Sequence, residues 1–174
     1  SVRDVDIAVV GNLDNAIIKN IYTNSPHYKK KDLSVKTFCT VIELKGYTAD
    51  YVSIANTHVN VKYKNQLKDA TEQNEKQRYA LGNYLERELG YKPIVTNLIW
   101  LSSISQQCLS EYAKGTNIGV LPATFSYEQF IEAIIAQGFN PTYSQLDHHY
   151  VLSCVDDSMQ FERDIKNVLL TEHH

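Results

Sequence analysis

Thr40-Val41-Ile42-Glu43-Leu44-Lys45-Gly46-Tyr47 reads as an apolar strand whose end carries an acidic and a basic side chain two residues apart. Side chains alternate between the two faces of a strand, so Glu43 and Lys45 are expected to point one way while Ile42 and Leu44 enter the opposite layer. A carboxylate and an ammonium at the lip of a buried sheet suit metal-dependent phosphodiester cleavage. The first can hold a divalent cation, and the second can steady the attacking water or the developing phosphorane charge. Glu-x-Lys is a short pattern that recurs by chance in charged proteins, so its weight comes from the segments around it.

Working outward, Val5-Asp6-Ile7-Ala8-Val9-Val10 reads as a compact strand ended by the turn signal Gly11-Asn12, with Asp6 on the face opposite Val5, Ile7 and Val9. A short helix is expected from Asp14 to Tyr22, followed by the breaker Asn24-Ser25-Pro26 and the basic run Lys29-Lys30-Lys31. The strand holding Glu43 starts near Val35. After a turn at Gly46, residues Tyr51 to Asn60 are expected to supply a further strand, hairpin-paired to it.

The pattern from Lys64 to Leu89 predicts a long helix stopped by Gly90 and Pro93. Spacing at about 100° per residue gathers Leu67, Ala70, Leu81, Tyr84 and Leu85 on one stripe, with the amides Gln73, Asn74 and Gln77 inside it. Amides facing a core need partners, from neighbouring backbone or from a functional site. Beyond this helix, Pro93 to Leu101 reads as a strand buried on both faces, and Ser105 to Lys114 as a helix ended by Gly115. Ile118 to Leu121 reads as a short strand, and Ser126 opens a helix running through Ala136 to a stop at Gly138. Tyr150 to Val155 is expected to form a late strand and Met159 to Leu170 a last helix. Alternating strands and helices with an early hairpin define an α/β fold with a mixed central sheet flanked by helices.

With 174 residues, 43% of them hydrophobic, the chain can bury one sizeable core and is expected to form a single domain. Its net charge of −3 excludes a broadly basic surface, so contact with nucleic acid must come from local patches or bound metal. Cys39, Cys108 and Cys154 are scattered and form no Cys-x-x-Cys pair, which suggests unpaired thiols in a reduced, cytoplasmic setting. No apolar run approaches the roughly 20 residues that span a bilayer, so no membrane partner is expected. The abrupt start at Ser1-Val2-Arg3 reads as an excised domain or a chain lacking its first elements, leaving room for further domains or a homo-oligomer. The closing His173-His174 reads as the stub of a purification tag.

In order along the chain, Val5-Asp6-Ile7-Ala8-Val9-Val10, Val41-Ile42-Glu43-Leu44-Lys45, Gln73-x-x-x-Gln77, Tyr84-Leu85 and Pro93-Ile94-Val95 resemble the nuclease-related domain (NERD) of the PD-(D/E)xK nuclease superfamily. The resemblance covers roughly Val5 to Leu101. It implies a restriction-endonuclease-like fold and a Mg²⁺- or Mn²⁺-dependent endonuclease acting on nucleic acid, with DNA as the first expectation. Asp6 and Glu43 would be metal ligands, Lys45 the third catalytic residue, and Gln73 and Gln77 supporting residues on the flanking helix. Relative to the family's short turn between the two acidic strands, residues 12–34 look like an insertion. The competing expectation is a non-catalytic interaction or sensor module that keeps the nuclease fold within a larger protein. On the catalytic reading, replacing Glu43 or Lys45 abolishes cleavage at little cost in stability.

Asp32, closer in sequence to Glu43 than Asp6 is, is a rival for the first acid, but Leu33 to Val41 offers no Gly, Pro or Asn turn to bring the two together. On one extended strand the two would lie about 36 Å apart at ~3.3 Å per residue, too far to share a cation. Lys29, Lys30 and Lys31, beside His27 and Tyr28, are candidates to grip phosphates, against the plainer reading of a solvated loop. Asp147-His148-His149 has metal-binding residue types, but adjacent side chains diverge. Asp156-Asp157 reads as a helix cap. Cys108 and Cys154 lack an evident base partner. Tyr47 and Trp100 could stack on bases or serve as core aromatics.

Overall fold

In the computed structural model, residues 5–22, 30–55, 58–90, 93, 95–113, 119–138, 149–152 and 167 are described. The chain begins with two long strands, β1 (Ile7–Tyr22) and β2 (Lys30–Lys45), paired antiparallel with Ile7 opposite Ile42 and Tyr22 opposite Lys30. The expected helix from Asp14 to Tyr22 is therefore strand. Ile17, Ile18 and Ile21 are β-branched, and β2 offers them a full row of ladder partners, so pairing outweighs a weak helical pattern. The turn signal at Gly11-Asn12 does not end β1 either; the register shifts between Asn12 and Ile17 and the strand continues. Residues 12–22 and 30–34, read from sequence as part of an insertion, thus prolong the hairpin. Gly11 lies opposite Phe38, whose ring fills the space a side chain at position 11 would need.

Three short strands follow: β3 (Val52–Ala55), β4 (His58–Tyr63) and β5 (Gln66–Asp69). They form their own antiparallel sheet in the order β3-β4-β5. The strand expected between Tyr51 and Asn60 therefore pairs locally and not with β2. Lys64 and Asn65 adopt φ of 47° and 60°, the left-handed pair that a two-residue hairpin turn requires. That turn removes the first residues of the predicted helix: Leu67 lies in β5 and is exposed.

The helix α1 (Ala70–Leu89) starts where Asp69 caps it, with the Glu72 N–H donating to Asp69 Oδ1 at 2.9 Å. It ends at Gly90, in left-handed conformation with φ of 80°. Its buried positions Ala70, Asn74, Gln77, Leu81 and Leu85 recur every three or four residues and form the face laid on the main sheet. Next come β6 (Val95–Leu101), α2 (Gln106–Ala113), β7 (Val120–Leu121), α3 (Tyr127–Gly138) and β8 (His149–Leu152). The α3 cap is reciprocal: the Gln129 N–H donates to Ser126 Oγ at 3.1 Å and the Ser126 N–H to Gln129 Oε1 at 2.9 Å. The helix expected from Met159 to Leu170 lies outside the described residues apart from Asn167, which is helical.

The main sheet runs β1-β2-β6-β7, with β8 also paired to β2. Strands β2, β6, β7 and β8 are parallel and β1 is antiparallel, so the molecule is α/β with a mixed sheet flanked by helices. Alternation along β2 sorts its partners. Cys39 and Val41 pack with Leu81 and Leu85 of α1, whereas Phe38 and Ile42 pack with Ile131, Ile134 and Ile135 of α3. Val52, Val59 and Val61 of the small sheet pack with Ile99 and Leu101 of β6 beside the start of α1. The carboxyl ends of β2 and β6 therefore open next to the α1 N-terminus and the small sheet. In parallel α/β sheets this is the end where side chains are free to act on ligands.

Candidate active site

Glu43 and Lys45 project from the last turns of β2 on the α1 face, as the alternation predicts. Lys45 Nζ lies 2.7 Å from Glu43 Oε1, and the Glu43 side chain is only 4% exposed against 19% for Lys45. The other Glu43 oxygen accepts from Gln77 Nε2 at 2.6 Å. Lys45 Nζ also donates to Gln73 Oε1 at 3.2 Å. Thus α1 places Gln73 over the base and Gln77, one turn later, over the acid.

The polar chain continues inward. Asn74 Nδ2 contacts Gln77 Oε1 and the Val41 carbonyl, each at 3.5 Å, and Asn97 Nδ2 of β6 donates to Asn74 Oδ1 at 2.9 Å. Deeper along the same strands, Thr40 Oγ1 donates to the Thr96 carbonyl at 3.2 Å and Thr96 Oγ1 to the Cys39 carbonyl at 3.4 Å. A buried carboxylate is costly unless charge and hydrogen bonds compensate it; here an ammonium and an amide do so. The sequence singled out Gln73 and Gln77 and placed Asn74 on the same stripe, but gave Asn97 no role. Its signal was a lone amide within an otherwise apolar strand.

The second acid comes from the neighbouring strand. Continuing the Ile7–Ile42 register by one step sets Asp6 opposite Glu43. Asp6 Oδ2 accepts from the Leu44 N–H at 2.9 Å, so the carboxylate closes the ladder where β1 begins. The side chain is exposed, and its other oxygen has no partner among the described residues. The lip is fixed from behind by β6: the Ser102 N–H donates to the Lys45 carbonyl at 3.1 Å, and Ser103 Oγ to the Gly46 carbonyl at 3.0 Å.

The burial of Glu43 corrects the expectation that Glu43 or Lys45 is replaceable at little cost. Removing Lys45 would strand a carboxylate that is almost out of reach of water. Asp32 is placed as the extended-strand argument requires, on the same continuous β2 as Glu43, opposite Asn20 and His149. Lys30 and Lys31 are the first residues of β2 and not part of a loop, roughly 46–50 Å along the strand from Lys45 at ~3.3 Å per residue. Lys29, His27, Tyr28, Asp147, His148, Cys154, Asp156 and Asp157 lie outside the described residues. Neither Cys39 nor Cys108 forms a disulfide among the described residues. Trp100 is a core aromatic: Nε1 donates to the Pro122 carbonyl at 3.0 Å and the ring meets Phe125 edge-on.

Asp6 and Glu43 are hard oxygen donors on adjacent strand ends. A Mg²⁺-type cation takes one or two protein carboxylates and fills its remaining positions with water and phosphate oxygens, so the donor type suits such an ion, while both Glu43 oxygens are engaged by Lys45 and Gln77. No cluster of three or more metal-ligating side chains occurs among the described residues. Nearby, the Nδ1–H of His58 donates to Asp69 Oδ2 over 2.6 Å, the direction an ionised carboxylate permits. Partial burial pushes the Asp69 carboxyl up. Hydrogen bonds from the Glu72 N–H, His58 and the Thr71 N–H, together with the His58 charge, outweigh it and hold the group below its ordinary value.

The chain matches no protein-family model, no curated protein and no solved structure. None of its described helices is long and apolar enough to cross a membrane.

Proposed function

We propose that this chain is a metal-dependent nuclease of the PD-(D/E)xK type, a nuclease-related domain hydrolysing phosphodiester bonds in DNA in a reduced, cytoplasmic setting. The observation that carries the reading is the Glu43–Lys45 pair at the end of β2 against the amides of Gln73 and Gln77, with Asp6 held at the same end of the hairpin by the Leu44 N–H. Asp6 and Glu43 would hold Mg²⁺ or Mn²⁺, which when bound polarises a phosphoryl oxygen. Lys45, partly exposed, supplies the positive charge and the N–H donors that steady an attacking water or the charge gathering on phosphorus. Gln73 orients Lys45 and Gln77 orients Glu43, so the helix fixes both reacting side chains.

The test is Mg²⁺-dependent cleavage of plasmid DNA by the wild type, Glu43→Gln and Lys45→Met, with Mg²⁺ binding followed by calorimetry in Asp6→Asn and Glu43→Gln. Loss of cleavage in both site variants, with loss of metal binding in both acid variants, is the expected result. Cleavage retained by either site variant removes the assignment.

One observation favours a second reading, a non-catalytic module that keeps the fold. Both Glu43 oxygens are already satisfied from within the protein, and the side chain is nearly buried. A complete internal network serves a structural polar layer as well as a reaction centre. On that reading neither metal binding nor cleavage is found, and Asp6→Asn alters nothing but the ladder end.

A further inference from the structure

We propose that the β4–β5 hairpin grips the phosphate backbone of the nucleic acid, through Lys64 and Lys68 gathered at Tyr63. The choice of polyanion rests on the phosphodiester reading of the Glu43–Lys45 site; the surface itself is argued from its own geometry. Tyr63 ends β4 with 42% of its surface exposed. Lys64 Nζ lies 5.2 Å and Lys68 Nζ 5.6 Å from the centre of its ring, so the electron-rich ring holds two ammonium groups together. Lys64 is fixed in the hairpin turn by its left-handed backbone, and Lys68 is set opposite Val61 by the strand register.

Two like charges so placed repel one another, and among the described residues neither has a carboxylate partner. Lys45 and Lys76, by contrast, each have one, Glu43 at 2.7 Å and Glu72 at 2.8 Å. The whole chain carries a charge of −3, so this concentration of unpaired positive charge is local and not a share of general basicity. A polyanion relieves the repulsion, and its binding releases counterions.

Position ties the hairpin to the site. Tyr63 meets Tyr47 edge-on, with ring centres 6.3 Å apart, and Tyr47 follows Lys45 by two residues. A backbone lying along Lys64, Tyr63 and Tyr47 therefore leads to the lip where Lys45 stands. None of these hairpin residues belongs to the candidate reaction centre, so their contribution is to binding.

The test is fluorescence anisotropy of a labelled 20-nucleotide DNA, single-stranded and duplex, with the full chain in EDTA over a series of salt concentrations. The Lys64→Gln/Lys68→Gln variant is expected to bind at least about tenfold more weakly at low salt. Its slope of log affinity against log salt should be shallower by about 1.8 for duplex and 1.4 for single strand, the loss of two phosphate contacts. Unchanged melting temperature guards against misfolding, because both lysines are exposed. Equal affinity and slope in variant and wild type, or no binding by the wild type to either DNA, overturns the proposal. Poly-glutamate competing as well as DNA overturns it in favour of an acidic protein partner. Hairpin-dependent binding without any Mg²⁺-dependent cleavage removes the nuclease reading alone, whereas cleavage with unchanged KM in the hairpin variant removes the hairpin proposal alone.

Discussion

Gln77 Nε2 and Glu43 Oε2 are joined at 2.6 Å across the interface between α1 and β2, and this bond makes a buried carboxylate tolerable on the side that Lys45 does not reach. The helix is thereby locked to the sheet by polar contacts at its first two turns and by Leu81 and Leu85 further along. Perturbing the polar end separates the structural role of these residues from their chemistry.

Gln77→Leu keeps the bulk and removes the donor. It is expected to lower unfolding stability by about 1–3 kcal/mol, the range for leaving a buried polar group unsatisfied. Urea denaturation with an unchanged m-value checks it. A loss below the error of the measurement would mean that water reaches Glu43 and substitutes for the amide.

Lys45→Met leaves Glu43 with a single partner. The expected loss is about 2–3 kcal/mol, under the roughly 3–5 of a fully buried pair because Lys45 is partly solvated. Adding Glu43→Gln to this variant should recover part of the loss, since the stranded charge is gone. A double-mutant cycle in which the two changes simply add would show that they do not interact.

Against partial burial, the hydrogen bonds from the Glu72 N–H and His58 hold the Asp69 carboxyl below its ordinary value in the folded protein, so its ionised form favours folding. That contribution is complete above the unfolded pKa, about 3.9, and is lost as pH falls through the lower folded value. The stability gap between wild type and Asp69→Ala, about 1 kcal/mol for a helix cap, should then shrink as pH falls below about 4. Melting curves at stepped pH measure it, and a gap that widens in acid contradicts the assignment.

Gly11→Ala forces the new methyl into the Phe38 ring, which is buried and packs edge-on against Phe130. Overpacking of this kind typically costs about 1–3 kcal/mol. Combining it with Phe38→Leu should cost less than the sum of the two single changes, as thermal denaturation can show.

Where one segment's side chains decide its environment, the sequence was legible. The alternation around Glu43 fixed which residues face α1, the spacing of Leu81 and Leu85 found the buried stripe, and Ser126 marked a helix start. Errors arose where a distant partner decides the outcome. Residues 14–22 carry a faint helical period, yet β2 turns them into strand. Lys64 and Asn65 lack the glycine that usually advertises a two-residue turn, so the small sheet's last hairpin was read as helix. The cap Asp69-Ala70-Thr71-Glu72 was the available signal for the true start. At the site, Glu43, Lys45, Gln73 and Gln77 were visible because strand and helix periods converge on them, whereas Asn97 is tied in through Asn74 only once β6 lies beside β2.

The parallel pairing of β2 with β6 also fixes an order of events during synthesis. Val41 and Ile42 leave the ribosome long before Leu98 and Leu81 exist to cover them, and non-local closures of this kind are slow. Throughout that interval Glu43 and Lys45 are fully hydrated charges at the end of a sticky segment, where they act as gatekeepers against intermolecular association. The ionic pair that is quenched in the finished molecule thus protects the half-made one.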